Sequence, residues 1–76
     1  MTLFEYITHN IDTVKTLVKA GAIPCAMMNH YSVYSRFRYY TKQGFYRSHA
    51  ASFTSDDMKV AERSVYRIIE RMEGEV

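Results

Sequence analysis

Apolar residues recur at three- and four-residue steps along most of this chain. Leu3, Phe4, Ile7, Ile11, Val14, Leu17 and Val18 fall on one face of a helix. Thr2 precedes them, with Glu5 three residues on, the pattern of a capping box. Gly21 predicts the stop. Asn10 and Asp12 compete with helical backbone bonding, so residues 10–12 are a point where this first helix can divide. Pro24 suits the first turn of a second helix, and Gly44 ends it. Met27, Met28, Tyr31, Tyr34, Phe37 and either Tyr40 or Thr41 supply its apolar face. A third helix is expected over about 45–56, with Phe45, Ala50, Phe53 and Thr54 inward. The Ala50-Ala51 pair marks a close helix crossing there. A fourth helix is expected over about 62–73, burying Val65, Ile68, Ile69 and Met72. Gly74 then ends it and leaves Glu75-Val76 as a free tail. No segment holds the strict alternation of a half-buried strand, so the expected fold is all-α, a single compact four-helix domain over residues 1–76.

Length sets the margin. A domain of 76 residues buries only about 60% of its unfolded surface, so its stability reserve is small. Seven Tyr and four Phe suffice for one modest core and leave room for burial against a second copy. The single cysteine, Cys25, excludes an internal disulfide and a cysteine-based metal site. It is expected as a small apolar core residue in a reducing, cytoplasmic setting. There is no signal-peptide pattern and no apolar run long enough to span a bilayer.

Charge adds an asymmetry that the net value of +2 hides. Residues 30–71 carry eight Lys or Arg against four Asp or Glu, and the rest of the chain is weakly acidic. A basic half permits an anionic partner. Catalytic signals are missing: His9, His30 and His49 have no metal-ligand spacing, and there is no Gly-rich phosphate loop or nucleophile elbow. The expectation is a non-enzyme without metal or cofactor.

The stretch KVAERSVYRIIERM, residues 59–72, sets arginines one helical turn apart beside an apolar stripe. With Val65, Ile68, Ile69 and Met72 inward, Glu62, Arg63, Tyr66, Arg67 and Glu70 are left outward. The run from Val60 to Ile69 resembles the second half of a bacterial helix-turn-helix, which often reads Gly-Val-Ser-Glu-Arg-Thr-Val-Tyr-Arg-Ile-Ile. The likeness is to small helix-turn-helix regulators of bacteria and mobile elements. It covers Arg47 to Met72, closely only in the last dozen residues, with RSHAASFTSDDM as the supporting helix. Lys59 stands where the turn commonly has Gly, and Ala61 where a Ser cap is usual. Those departures leave the turn geometry open, with Asp56 and Asp57 as alternative supports.

The resemblance implies a helix-turn-helix over about 45–73 that binds double-stranded DNA in a sequence-specific way. An Arg can bond both acceptors of a guanine edge, and a Glu can accept from cytosine N4. The N-terminal part of a recognition helix reaches the bases, which singles out Glu62, Arg63, Tyr66 and Arg67. Arg47, Ser48, His49, Lys59 and Ser64 are the candidate phosphate contacts. A homodimer is expected, because two-fold operators suit paired modules. The competing reading is a small helical protein-interaction module, with solvated arginines and a partner surface on the Tyr- and Met-rich second helix. One continuous positive face formed by Arg47, Lys59, Arg63 and Arg67 favours DNA. Arginines tied to Glu62, Glu70 or Asp57 favour the module.

Overall fold

The computed structural model describes residues 1–76. It contains five helices: α1 (Leu3–His9), α2 (Ile11–Lys19), α3 (Ala26–Lys42), α4 (Arg47–Met58) and α5 (Glu62–Met72). The all-α expectation holds, but the number of helices is five rather than four. Asn10 is the cause. It leaves helical geometry at φ −123°, ψ 28°, and its side-chain amide donates to the Tyr6 carbonyl at 2.9 Å. The capping box at the start of α1 is present. Thr2 Oγ1 accepts from the Glu5 N–H at 3.1 Å, and Glu5 Oε1 accepts from the Thr2 N–H at 2.8 Å.

α3, α4 and α5 pack on one another and form most of the core. α4 offers Ala50, Ala51 and Thr54, each with 0% exposure. The Thr54 hydroxyl donates to the Ala50 carbonyl at 2.7 Å, so its burial leaves no donor unpaired. α5 buries Val65, Ile68, Ile69 and Met72, the four positions its periodicity predicts. α3 buries Val33, Tyr34 and Phe37. α1 docks on α3 through Phe4, whose ring stacks on Tyr31 at 5.0 Å and meets Tyr34 edge-on at 4.7 Å. α2 lies further out and buries only Val14.

Three expectations need correction. Phe45 and Phe53 are not inward; they are 44% and 38% exposed and pack with Tyr40 as an aromatic edge along α3 and α4. The alanine face of α4 takes the core, and Phe53 is turned off it. Cys25 is exposed, because it lies in the turn that precedes α3 rather than on its inner face. The tail is not free. Leu3 N–H donates to the Gly74 carbonyl at 2.8 Å and Val76 N–H to the Met1 carbonyl at 3.1 Å, so the segment after α5 pairs with the segment before α1. No helix is long and apolar enough to cross a membrane.

The link from α4 to α5 is three residues long, Lys59, Val60 and Ala61. Lys59 adopts the left-handed conformation, φ 55° and ψ 46°, and is the one non-glycine residue with positive φ. Asp56 and Asp57 do not support this turn. Ser55 does: its carbonyl accepts from the Lys59 and Val60 N–H groups, and its hydroxyl donates back to the Val60 carbonyl. A side chain in left-handed geometry costs about 1–2 kcal/mol, which glycine avoids. Lys59→Gly should therefore stabilise the fold by about 1 kcal/mol, raising the melting temperature by roughly 4–8 °C for a domain of this size. A calorimetric melt at or below that of the parent would show that the turn is not strained.

Candidate nucleic-acid interface

The amphipathic sequence of α5 fixes which side chains reach solvent. With its apolar stripe against α3 and α4, Glu62, Arg63, Tyr66, Arg67, Glu70 and Arg71 are all exposed, and Ser64 is half-buried. Arg63, Arg67 and Arg71 follow one another at four-residue spacing and so line one side of the helix. None of them takes part in an ion pair, although Glu62 and Glu70 share the helix. Lys59, in the turn that precedes α5, is likewise exposed and unpaired. Asp57 is engaged elsewhere, accepting from the Tyr40 hydroxyl and lying 3.9 Å from Arg36 Nε.

The start of α5 carries no side-chain cap. Ala61 occupies the N-cap and provides only its carbonyl, which accepts from the Val65 N–H at 3.0 Å. α4 also begins without a side-chain cap, at Tyr46, and has no acid in its first turn. Ser48 and His49 are exposed there, and the His49 ring lies near those of Tyr46 and Phe53.

Arg47 is the candidate that the structure sets apart from the rest. Its guanidinium donates to both Glu73 oxygens, at 3.2 and 3.0 Å, and covers the Phe37 ring at 5.2 Å from the centroid. The Tyr34 hydroxyl donates to the same carboxylate at 2.9 Å. Glu73 therefore joins α3, α4 and the end of α5. Burial works against its charge, but the hydrogen bonds from Arg47 and Tyr34, with the charges of Arg47 and Arg38, outweigh it and hold the carboxyl below its ordinary value. Burial and the Glu73 hydrogen bond push the Tyr34 phenol up. No local sequence pattern marks this clasp, because Glu73 lies 39 residues from Tyr34 and 26 from Arg47.

Two further residues join the α5 face. Arg71 extends the arginine series by one turn, a spacing visible in the sequence. His30, from α3, shares a cleft of about 340 Å³ with Ser64, Arg67, Ile68 and Arg71. That neighbourhood is a tertiary contact with no local signal. No three His, Cys, Asp or Glu side chains come together in a metal-binding group. No family model matches the chain, and neither a curated protein nor a solved structure matches it.

The Glu73 clasp makes stability depend on acid. A carboxyl whose folded pKa is depressed stabilises the fold above its ordinary value of 4.5, and that contribution is lost as pH falls through the lower folded value. Glu73→Gln should melt below the parent at neutral pH, and the gap should close as pH drops beneath 4.5. Melts of both proteins across that range check this; a gap independent of pH would mean that the charge of Glu73 contributes nothing.

Proposed function

We propose that the chain is a sequence-specific DNA-binding protein of the helix-turn-helix type, a transcriptional regulator of the kind carried by bacteria and mobile elements. α4 is the supporting helix, and α5 enters the major groove of double-stranded DNA. Arg63 and Arg67 read base edges, with Glu62 and Tyr66 beside them. Lys59, Ser64, Ser48 and His49 meet phosphates. Arg47 contributes least, since two of its donors are already held by Glu73.

The observation that carries this reading is the row of exposed, unpaired cations along α5 and the turn before it. Arg36 and Arg47, on α3 and α4, are paired with acids, while Lys59, Arg63 and Arg67 are exposed and pair with none. A face of unpaired guanidinium groups flanked by an uncapped helix start is suited to a polyanion. The three-residue turn with a left-handed first residue is consistent with the resemblance, since glycine is common there for that conformation.

A second reading has its own support. Tyr39, Phe45, Tyr46 and Phe53 are 51%, 44%, 78% and 38% exposed and form an aromatic edge that a protein partner would cover. In the DNA-binding reading, a second copy covers this edge and gives a homodimer in the cytoplasm. In the alternative, the chain is a protein-interaction module and the arginines are only solvated.

Selection from a random duplex pool at low salt, followed by sequencing, should enrich a motif. On that motif Arg63→Ala and Arg67→Ala should each cost roughly 1–3 kcal/mol and relax preference at one base pair. Lys59→Ala should weaken binding to all duplexes alike and lower the salt slope by about one unit. It keeps a Cβ at the left-handed position, so the strain there is unchanged. Failure of the parent chain to bind any duplex would leave the interaction module as the better account. Sedimentation should show a dimer at micromolar concentration, and a chain that stays monomeric would remove the homodimer.

A further inference from the structure

We propose that the aromatic edge of α3 and α4 is a self-complementary surface on which two copies of the chain pair antiparallel about a two-fold axis, with Lys42 of each copy meeting Asp56 of the other. The proposal deepens the homodimer of the DNA-binding reading by giving its face and its direction, and it does not depend on DNA.

The edge is continuous. α3 and α4 run back along each other, since Tyr40 meets Phe45 at 6.1 Å and Phe53 at 5.3 Å while Arg36 reaches Asp57. Phe45 and Phe53 meet edge-on at 5.1 Å, and the Tyr39 ring lies 5.3 Å from that of Tyr40. Tyr46, at the start of α4, is 78% exposed and adds the most open ring. Large rings left in a row on a small domain mark a surface that gains by being covered.

Charge selects the partner and its direction. Within the edge Arg36 is matched by Asp57 and lies over the Tyr39 ring. Two exposed charges beside the rings have no partner: Lys42, in the last turn of α3, and Asp56, in the last turn of α4. Because the two helices run back along each other, these last turns lie at opposite ends of the edge. Lys59 follows α4 in the turn to α5, outside the edge. A partner of one sign would be attracted at one end and repelled at the other. A second copy carries both signs. Pairing in parallel sets each charge against its own kind. Pairing antiparallel crosses them, so that two lysine–aspartate pairs form by symmetry, and it also sets the two α4 dipoles against each other favourably. No ring of the edge belongs to α5, so pairing leaves Arg63 and Arg67 open to a duplex.

The test follows self-association of the full chain by sedimentation over a concentration series, with melts to check the fold. The parent should dimerise. Tyr46→Ser and Phe53→Ser each remove a ring from both copies and should raise the dimer dissociation constant about tenfold or more. Tyr46→Ser, at the more exposed position, keeps the test valid if Phe53→Ser lowers the melt. Lys42→Glu and Asp56→Lys each set like charges together at two places and should weaken the dimer by roughly tenfold. Combined in one chain they restore the crossed pairs, and the dissociation constant should return close to that of the parent. A parent that stays monomeric would overturn the surface, and the duplex selection would still decide DNA binding by itself. A dimer indifferent to both serine variants would overturn the face. A dimer that the serine variants weaken, but that the double charge variant does not restore, would overturn the antiparallel direction. Pairing as described with no duplex binding would support the edge and overturn the DNA-binding reading.

Discussion

α4 has to fit into the angle between α3 and α5, and it does so because its inner face carries so little. Ala50, Ala51 and Thr54 have no exposed surface. The distance between packed helices follows the size of the side chains at the contact, so two consecutive alanines bring the α4 backbone close to both neighbours. Bulk comes from the other side, from Phe37 of α3 and Val65 and Met72 of α5, all at most 1% exposed. Extra methylenes on such an alanine face would overpack it, at a cost of about 1–3 kcal/mol. The larger apolar side chain of α4, Phe53, is consequently outward, and the aromatic edge with Tyr40 and Phe45 follows from that. Close packing also leaves just three residues to join α4 to α5.

The same packing divides the arginines of the chain into two kinds. Arg38 lies over the Phe4 ring and Arg47 over Phe37, while Arg36 reaches Asp57. These side chains cover the core with their stems and find partners for their heads. The arginines of α5 do neither. Arg63, Arg67 and Arg71 stand in line with no acid, an arrangement that costs a few tenths of a kcal/mol for each adjacent pair. A small domain has little stability to set against such a cost. A glutamate in place of Arg67 would pair with both neighbours and remove it. The unpaired row therefore subtracts from the stability of the fold rather than adding to it.

Local periodicity made much of this legible. The stripe of α5 is regular, so its buried four and its exposed face could both be read from spacing. The capping box at Thr2 and the weak point at Asn10 rest on contacts within five residues, and both are present. The expectations that failed are those decided by what lies across the core. Phe45 and Phe53 have the residue type for burial, but the alanines beside them had already been chosen for the crossing. Cys25 has the same fault, an apolar type in a turn. The Glu73 clasp and the placing of His30 beside Arg71 join distant segments, and no pattern in the sequence marks them. For the candidate site, the exposure of Glu62, Arg63, Tyr66 and Arg67 was legible, while the loss of Arg47 to an ion pair was not.

The two departures from the helix-turn-helix pattern, Lys59 and Ala61, fall on either side of Val60, and their effects combine. Lys59 keeps the left-handed geometry that glycine would take without strain, and it places a cation where glycine has no side chain. Ala61 forgoes the side-chain oxygen that would satisfy the first-turn N–H groups of α5. Each choice costs about 1 kcal/mol of stability. Together they leave the start of α5 with unpaired backbone donors, the positive end of the helix dipole, and two cations, Lys59 and Arg63, against the single carboxylate of Glu62. A helix start arranged for stability would carry a hydroxyl cap and further acid. On the proposed reading this one would meet negative charge from outside, and the strain in the turn is the cost of presenting Lys59 there.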